Sequence, residues 1–149
     1  MIHTMYFSKS INPSANCAVG EFVCNGADIT IKDFCSTGIF HDGQLIGGVL
    51  YHNYYDDSGV VELSAYASSK KWLTKASINA IFFLPFERLS CQMIVLRVSE
   101  RNKVMRSIAE RLGFKGVYVP RLRGREEGEH IFSLTDDDWQ SSKYYGDIA

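Results

Sequence analysis

Nowhere in the 149 residues is there an apolar run of about 18, the length a membrane-spanning helix needs, and the opening residues (MIHTMYFSKSINPS) lack the apolar region of a signal peptide. With no export signal, the chain is expected to stay where it is made, in the cytosol, and to meet no membrane. The four cysteines (Cys17, Cys24, Cys35, Cys91) make no CxxC pair and no zinc-like spacing, so neither a metal site nor a disulfide framework is expected. Cys17 and Cys24 lie seven apart, on one face of a helix, where small thiols are expected to be buried. An excess of one charge is also missing: the net charge is −1, which argues neither for nor against nucleic acid. Internal repeats and low-complexity segments are absent as well. What remains is the composition of an ordinary soluble domain, 46% hydrophobic and 22% charged, with a length that suits one domain over residues 1–149 and one core.

The charges that are present are unevenly placed. Nine of the 16 Lys and Arg residues fall between Arg97 and Arg125, Lys70, Lys71 and Lys75 form a second basic group, and Glu126, Glu127, Glu129 and Asp136, Asp137 and Asp138 gather late in the chain. Such runs read either as a solvated surface or as an anion site, phosphate being the natural candidate. The run Arg121-Leu122-Arg123-Gly124-Arg125 raises nucleic acid as a third, weaker option.

Hydrophobic periodicity orders the elements. A strand is expected at Ile2–Phe7, then a short helix over residues 16–24, with Cys17, Val19, Phe22 and Val23 apolar and Asn25-Gly26 ending it. Residues 37–41 and 44–52 flank Asp42-Gly43, whose tolerance of positive φ suits a tight hairpin. A turn at residues 56–59 leads to a third strand, Val60–Ala67, whose alternation puts Val61, Leu63, Ala65 and Ala67 on one face and Glu62, Ser64 and Tyr66 on the other. A helix capped by Ser68 or Ser69 is expected from Trp72 to about Leu89, with Trp72, Leu73, Ala76, Ala80, Ile81 and Leu84 buried and Pro85 disturbing its last turn. A final hairpin over residues 115–122 and 129–135 precedes a C-terminal cap that starts at Asp136.

Between these lies the most structured stretch, residues 92–114 (QMIVLRVSERNKVMRSIAERLGF). A β-branched apolar run breaks at Ser-Glu-Arg-Asn and becomes an amphipathic helix with Val104, Met105, Ile108, Ala109 and Leu112 on one side. Asn102 can cap its start, and Gly113 its end. The helix from Trp72 carries the chain across the sheet, so the strand at Met93 can lie parallel to its predecessor. The expected class is therefore α+β, with a mixed, mainly antiparallel twisted sheet flanked by helices.

This order, with Asn102 followed at fixed spacing by Gly113-Phe114 after a buried strand, resembles the GNAT superfamily of acyl-CoA-dependent N-acetyltransferases. Phe86-Glu87-Arg88-Leu89 is similar to the end of that family's preceding helix, residues 116–133 to its final hairpin, and Asp42-Gly43-Gln44-Leu45-Ile46-Gly47 to its early one; the resemblance covers roughly residues 37–139. Lys70-Lys71-Trp72-Leu73-Thr74 is similar to a compact subgroup in which a Trp opens the cofactor helix, a subgroup frequent in phage genomes, which implies a viral origin. The resemblance further implies that the central strands splay apart. The pantetheine arm of acetyl-CoA would pair with backbone near Ala65 and Ala67, and the pyrophosphate would rest on the start of the helix from Trp72. Asn102 would contact the cofactor or hold the splayed strand.

Two departures from the family pattern stand out. The phosphate loop is usually glycine-rich, whereas Ser69-Lys70-Lys71-Trp72-Leu73-Thr74 has no glycine; Lys70 and Lys71 could substitute charge and Thr74 a hydroxyl, or the site could be degraded. The family's tyrosine acid, seven residues after the asparagine, is replaced by Ala109, and the serine some members place three residues after it by Met105, while Ser107 lies on a different helix face. For the base that takes the amine's proton, Glu62 is the first candidate, with a half-exposed strand carboxylate as its plain reading; His52 and Tyr51 are reserves. Trp72 packs either under the adenine or in the core, and Cys91 reads as core. Acetyl transfer to a primary amine, on a protein or a small molecule, is the expected activity of a monomer or homodimer. The alternative is a GNAT-fold binding protein, weak or inactive in catalysis, that docks on and modulates a host protein.

Overall fold

Asp42 and Gly43 take φ values of 50° and 83°, the left-handed pair that a tight hairpin turn needs, and they join the first two strands of a meander. The computed structural model describes residues 1–146. Its strands are β1 (Ile2–Phe7), β2 (Cys35–His41), β3 (Gln44–Tyr55), β4 (Val60–Ala67), β5 (Met93–Ser99), β6 (Lys115–Val119) and β7 (Glu129–Thr135), in one sheet of order β1-β2-β3-β4-β5-β7-β6. Neighbours run antiparallel except β4 and β5, which are parallel. The four α-helices among the described residues are α1 (Pro13–Ala27), α2 (Lys75–Phe83), α3 (Lys103–Arg111) and α4 (Asp136–Gln140). This is the α+β architecture expected from the order of elements.

The alternation of the strands divides the apolar residues between two cores. Val61, Leu63, Ile94, Val98, Phe132 and Leu134 pack with Ile78, Ile81 and Phe82 of α2, Ile108 and Ala109 of α3, and Trp139 of α4. On the opposite face Leu50 packs with Phe7 and with Val19 and Val23 of α1. A hydrophobic face buried on each side of the sheet fixes its register, since a slip of one residue would exchange the two sets.

The parallel pairing is short. It runs from Val60↔Met93 through Leu63↔Leu96 and stops. Beyond that point β4 continues along β3, with Val49↔Ala65 and Gly47↔Ala67, while β5 continues along β7, with Arg97↔Ile131 and Ser99↔Glu129. The sheet is thus two half-sheets that share four residue pairs and then part, leaving one edge of residues 64–67 without a strand partner.

Several local expectations need correction. The first helix runs to Ala27, past Asn25-Gly26, and closes on Asp28 in the left-handed conformation, whose N–H reaches the Cys24 carbonyl. Cys17 is exposed and Cys24 only half-buried, because the buried stripe is set by Asn16, Val19, Gly20 and Val23. The second helix does not begin at Trp72: Lys70–Trp72 forms a 3₁₀ turn whose first N–H groups are capped by Ser69, the chain extends at Leu73, and α2 starts at Lys75. Thr74 and Ser77 cap it reciprocally, Ser77 N–H to Thr74 Oγ1 at 3.0 Å and Thr74 N–H to Ser77 Oγ at 2.7 Å. That break rephases the buried stripe, which falls on Ser77, Ile78, Asn79, Ile81 and Phe82, so Ala76 faces solvent. Pro85 acts as expected: Leu84–Arg88 widens into a π turn closed by Leu89 N–H on the Leu84 carbonyl at 3.0 Å. Val104, expected on the apolar side of α3, is exposed, and β6 stops at Val119, before Pro120.

Gly48 in β3 is one of the places where α1 and the sheet come close together. A Cβ there would fall 2.7 Å from Val23 Cγ2 and 2.9 Å from Val19 Cγ1, and a valine methyl on a helix cannot swing aside. Gly48→Ala should therefore lower unfolding stability by about 1–3 kcal/mol in urea titrations, with α1 rather than the turn at Asp42-Gly43 loosened. A stability equal to that of the parent protein would contradict this packing.

Candidate active site

Where β4 and β5 part, two cavities open and meet. The larger, of about 1000 Å³, lies on the α1 face and is bounded by the loop after α1, by His52, Asn53, Glu62 and Ser64 on one wall, and by Arg97, Ser99, Arg101 and Arg123 on the other. The smaller, of about 440 Å³, is bounded by Ala65, Tyr66, Ala67, Ser68, Ser69, Lys70, Trp72 and the first turns of α3. Both include Ala27, Ala65, Asn102 and Met105, so they form one passage through the gap in the sheet.

Of the residues singled out from the sequence, Glu62 lines the larger cavity, Ala67, Lys70 and Trp72 the smaller, and Ala65 and Asn102 both. Lys71, Leu73 and Thr74 do not line either one; Thr74 caps α2. Trp72 is 6% exposed and belongs to the main core, packed against Gly47. Asn102 holds the start of α3, its Oδ1 accepting the Met105 N–H at 3.1 Å. Lys75 and Ala76, at the first positions of α2, present the N–H groups that an α-helix leaves without an intrahelical partner.

The hairpin between β3 and β4 assembles the polar wall. Its register sets His52 directly opposite Glu62, and cross-strand partners share a face. Asn53, at φ 49° beside the irregularity in this hairpin, donates its Nδ2–H to Glu62 Oε1 at 3.0 Å. His52 Nε2 lies 2.8 Å from Ser64 Oγ and 3.8 Å from Glu62 Oε2. The Glu62 side chain is 16% exposed, open enough to receive a proton from a ligand and enclosed enough to act in a low dielectric. Asn53 and Ser64 were not singled out from the sequence; counting the hairpin back from the turn at residues 56–59 brings Asn53 opposite Glu62, and the one-residue irregularity then moves His52 into that place.

The other wall is a network of ions. Glu129 is 1% exposed and takes Arg97 Nε at 2.5 Å and Arg123 Nε at 2.8 Å. Glu127 accepts from Ser99 Oγ and pairs with Arg101 at 3.3 Å. Four of the nine cations of the basic run, Arg97, Arg101, Lys115 and Arg123, are thus paired with the acidic residues that follow it, and Arg123 of the candidate nucleic-acid loop is committed within the fold. Ala109, at the position of the family's tyrosine, is fully buried in the core, while Ser107 is exposed on α3. Among the described residues, no group of three or more His, Cys, Asp or Glu is arranged to hold a metal, and no helix is long and apolar enough to cross a membrane.

Several solved structures with this arrangement are described as acetyltransferases. A variant of the spermidine N-acetyltransferase SpeG from Vibrio cholerae superimposes with a TM-score of 0.75 at 13% identity, over 95% of this chain and 98% of that one. The chain has the GNAT fold. The ribosomal-protein-S5-alanine acetyltransferase from Vibrio fischeri gives a TM-score of 0.60 at 17% identity over 71% of this chain, and a protein described as a probable acetyltransferase 0.61 at 21% over 70%. This chain spans 63% and 62% of the lengths of those two proteins. No protein-family model and no curated protein matches the sequence.

Within the GNAT fold the histidine gives a measurable signature. Burial holds the His52 imidazole below its usual value of 6.5, with the nearby Glu62 carboxylate opposing the shift in part. The unfolded chain then binds this proton more readily than the folded one. The stability associated with neutral His52 is present above about pH 6.5 and is lost as pH falls through the depressed folded value. Melting temperature should decline on acidification from pH 7 to pH 5, and His52→Gln should flatten that decline; an identical slope in the variant would contradict the burial of a neutral imidazole.

Proposed function

We propose that this protein is an acetyl-CoA-dependent N-acetyltransferase acting on a primary amine. The observation that carries the reading is the parting of β4 from β5 after Leu63↔Leu96, which leaves residues 64–67 with an unpaired strand edge facing the two joined cavities. Unpaired backbone groups inside a sheet need partners, and the amide-rich pantetheine arm is chemically suited to supply them by adding as a strand. Acetyl-CoA bound there would present an acyl thioester, whose carbonyl carbon an amine can attack without covalent help from the protein; the C–S bond breaks as the C–N bond forms, and coenzyme A leaves as a thiolate that takes its proton from solvent.

The roles follow from the walls. Ala65 and Ala67 would hold the pantetheine through their backbone. Lys70, with the N–H groups at the start of α2, would face the phosphates in place of a glycine loop and Trp72 would shape that end, while Lys71 would add charge from outside the cavity and Leu73 and Thr74 would hold the start of α2. Asn102 would keep α3 against the gap. Glu62, held by Asn53, would accept the proton that the attacking amine must lose, directly or through one water. The similar spermidine N-acetyltransferase is named for a small amine and the ribosomal-protein-S5-alanine acetyltransferase for a protein, so a small molecule and a protein are both acceptors in keeping with this reading. In this reading the protein works in the cytosol, as a monomer or homodimer.

A second reading has one observation in its favour. Ala109 is buried where relatives carry their acid, so the fold could serve as a binding module on a host protein, possessing the cleft without its chemistry. Acetyl-CoA titration separates the two. Under the transferase reading, saturating acetyl-CoA raises the melting temperature by mass action, and Glu62→Gln retains that shift while turnover falls by roughly 10²-fold or more. No shift and no heat of binding would overturn the transferase reading, and full turnover in Glu62→Gln would remove Glu62 from its role.

A further inference from the structure

We propose that the acceptor amine carries a second, anionic group, a carboxylate in the simplest case, and that Arg97 selects it. The inference rests on reading the cleft as an acyl-transfer site and extends that reading from the reacting amine to the rest of the acceptor. Glu62 pairs in register with Val95, so Arg97 and Ser99, two and four residues on, project to the same face of the sheet across the gap. The wall they form has its carboxylate oxygens already filled: Glu129 by Arg97 and Arg123, Glu127 by Arg101 and Ser99. Three guanidinium groups meet two carboxylates, which leaves one positive charge in excess and no carboxylate oxygen without a donor. The excess is local, since the whole cavity lining holds four cations against five carboxylates, but at this wall it favours an anion over the distal ammonium of a diamine.

Arg97 is the residue best placed to use that excess. Its Nε–H is bound to a carboxylate that is 1% exposed, which fixes the plane of the guanidinium, while the side chain itself is 45% exposed in the cavity wall. The remaining N–H groups form a fork already oriented for a planar oxyanion, and an oriented fork loses less entropy on binding than a flexible cation. Arg123 is less available, since it also bonds the Arg97 carbonyl, and Arg101 is held by Glu127. On the facing loop Asp33 is bound by Lys9 and Lys32 adds a cation, so Asp28 is the one carboxylate there that a diamine could reach. A diamine is therefore the rival acceptor.

The test is a series of ω-amino acids of increasing length, each beside the amino alcohol and the diamine of equal length, scored by kcat/KM with acetyl-CoA and by calorimetric binding. At the preferred length the amino acid should exceed the alcohol by about tenfold to a hundredfold, chiefly through KM, with the diamine lowest. Arg97→Gln should bring the ratio of amino acid to alcohol near one. Arg97→Lys, which keeps a charge opposite Glu129, should retain part of the preference and serves if the glutamine variant fails to fold. A parent enzyme that favours the alcohol or the diamine, or a preference that survives in Arg97→Gln, overturns the proposal and leaves the transferase reading standing. Amino acids that bind in an Arg97-dependent way without turnover sustain the anion site and sink the transferase reading instead. Binding of none of the three classes overturns the proposal as well.

Discussion

Four backbone-paired residues on each of two parallel strands, Val60 to Leu63 against Met93 to Leu96, hold the halves of this molecule together and then let go. The site depends on that brevity. Had the pairing continued, residues 64–67 would be satisfied by β5 and the cleft would not exist. Had it been absent, nothing would fix Glu62 relative to Arg97. Parallel strands require a crossover, and α2 with its π turn supplies it on the face that carries the main core. The break at Leu73, the capping pair Thr74 and Ser77, and the disturbance at Pro85 are the local devices that let a nine-residue helix span this crossover.

The same alternation that buries the core builds the chemistry. Along β4 the odd-numbered residues enter the core with α2 and α3, and the even-numbered residues face the α1 side, where Glu62 and Ser64 meet His52 and Asn53. Along β5 the pattern repeats, with Ile94 and Val98 in the core and Arg97 and Ser99 on the opposite lip. One lip thus carries a carboxylate held by neutral partners, and the other a buried carboxylate held by two arginines. The cleft is chemically asymmetric without any residue leaving its strand register.

Much of the fold was legible in the sequence, because its signals are local. Asp42-Gly43 specifies a turn, the alternation of Val60–Ala67 specifies its faces, and Asn102 with Gly113 brackets a helix whose cap is present in the structure. The resemblance in element order was sufficient to anticipate the splayed strands. What was not legible depends on tertiary placement. The start of α2 could not be read because two serines and a threonine offer equally good caps, and the buried stripe moved with the choice. The pairing of Arg97 and Arg123 with Glu129 joins residues far apart in sequence, so a basic run and an acidic run looked like separate surfaces rather than one network. Cys17 followed a helical face that turned outward by one position.

On the transferase reading, the open edge of β4 is the place where the acyl donor adds as a strand. Amide hydrogen exchange, followed residue by residue with and without acetyl-CoA, tests it most directly. Protection should rise within residues 64–67 while residues 60–63, already paired with β5, change little. Ligand-independent exchange across residues 64–67 at saturating acetyl-CoA would contradict the account.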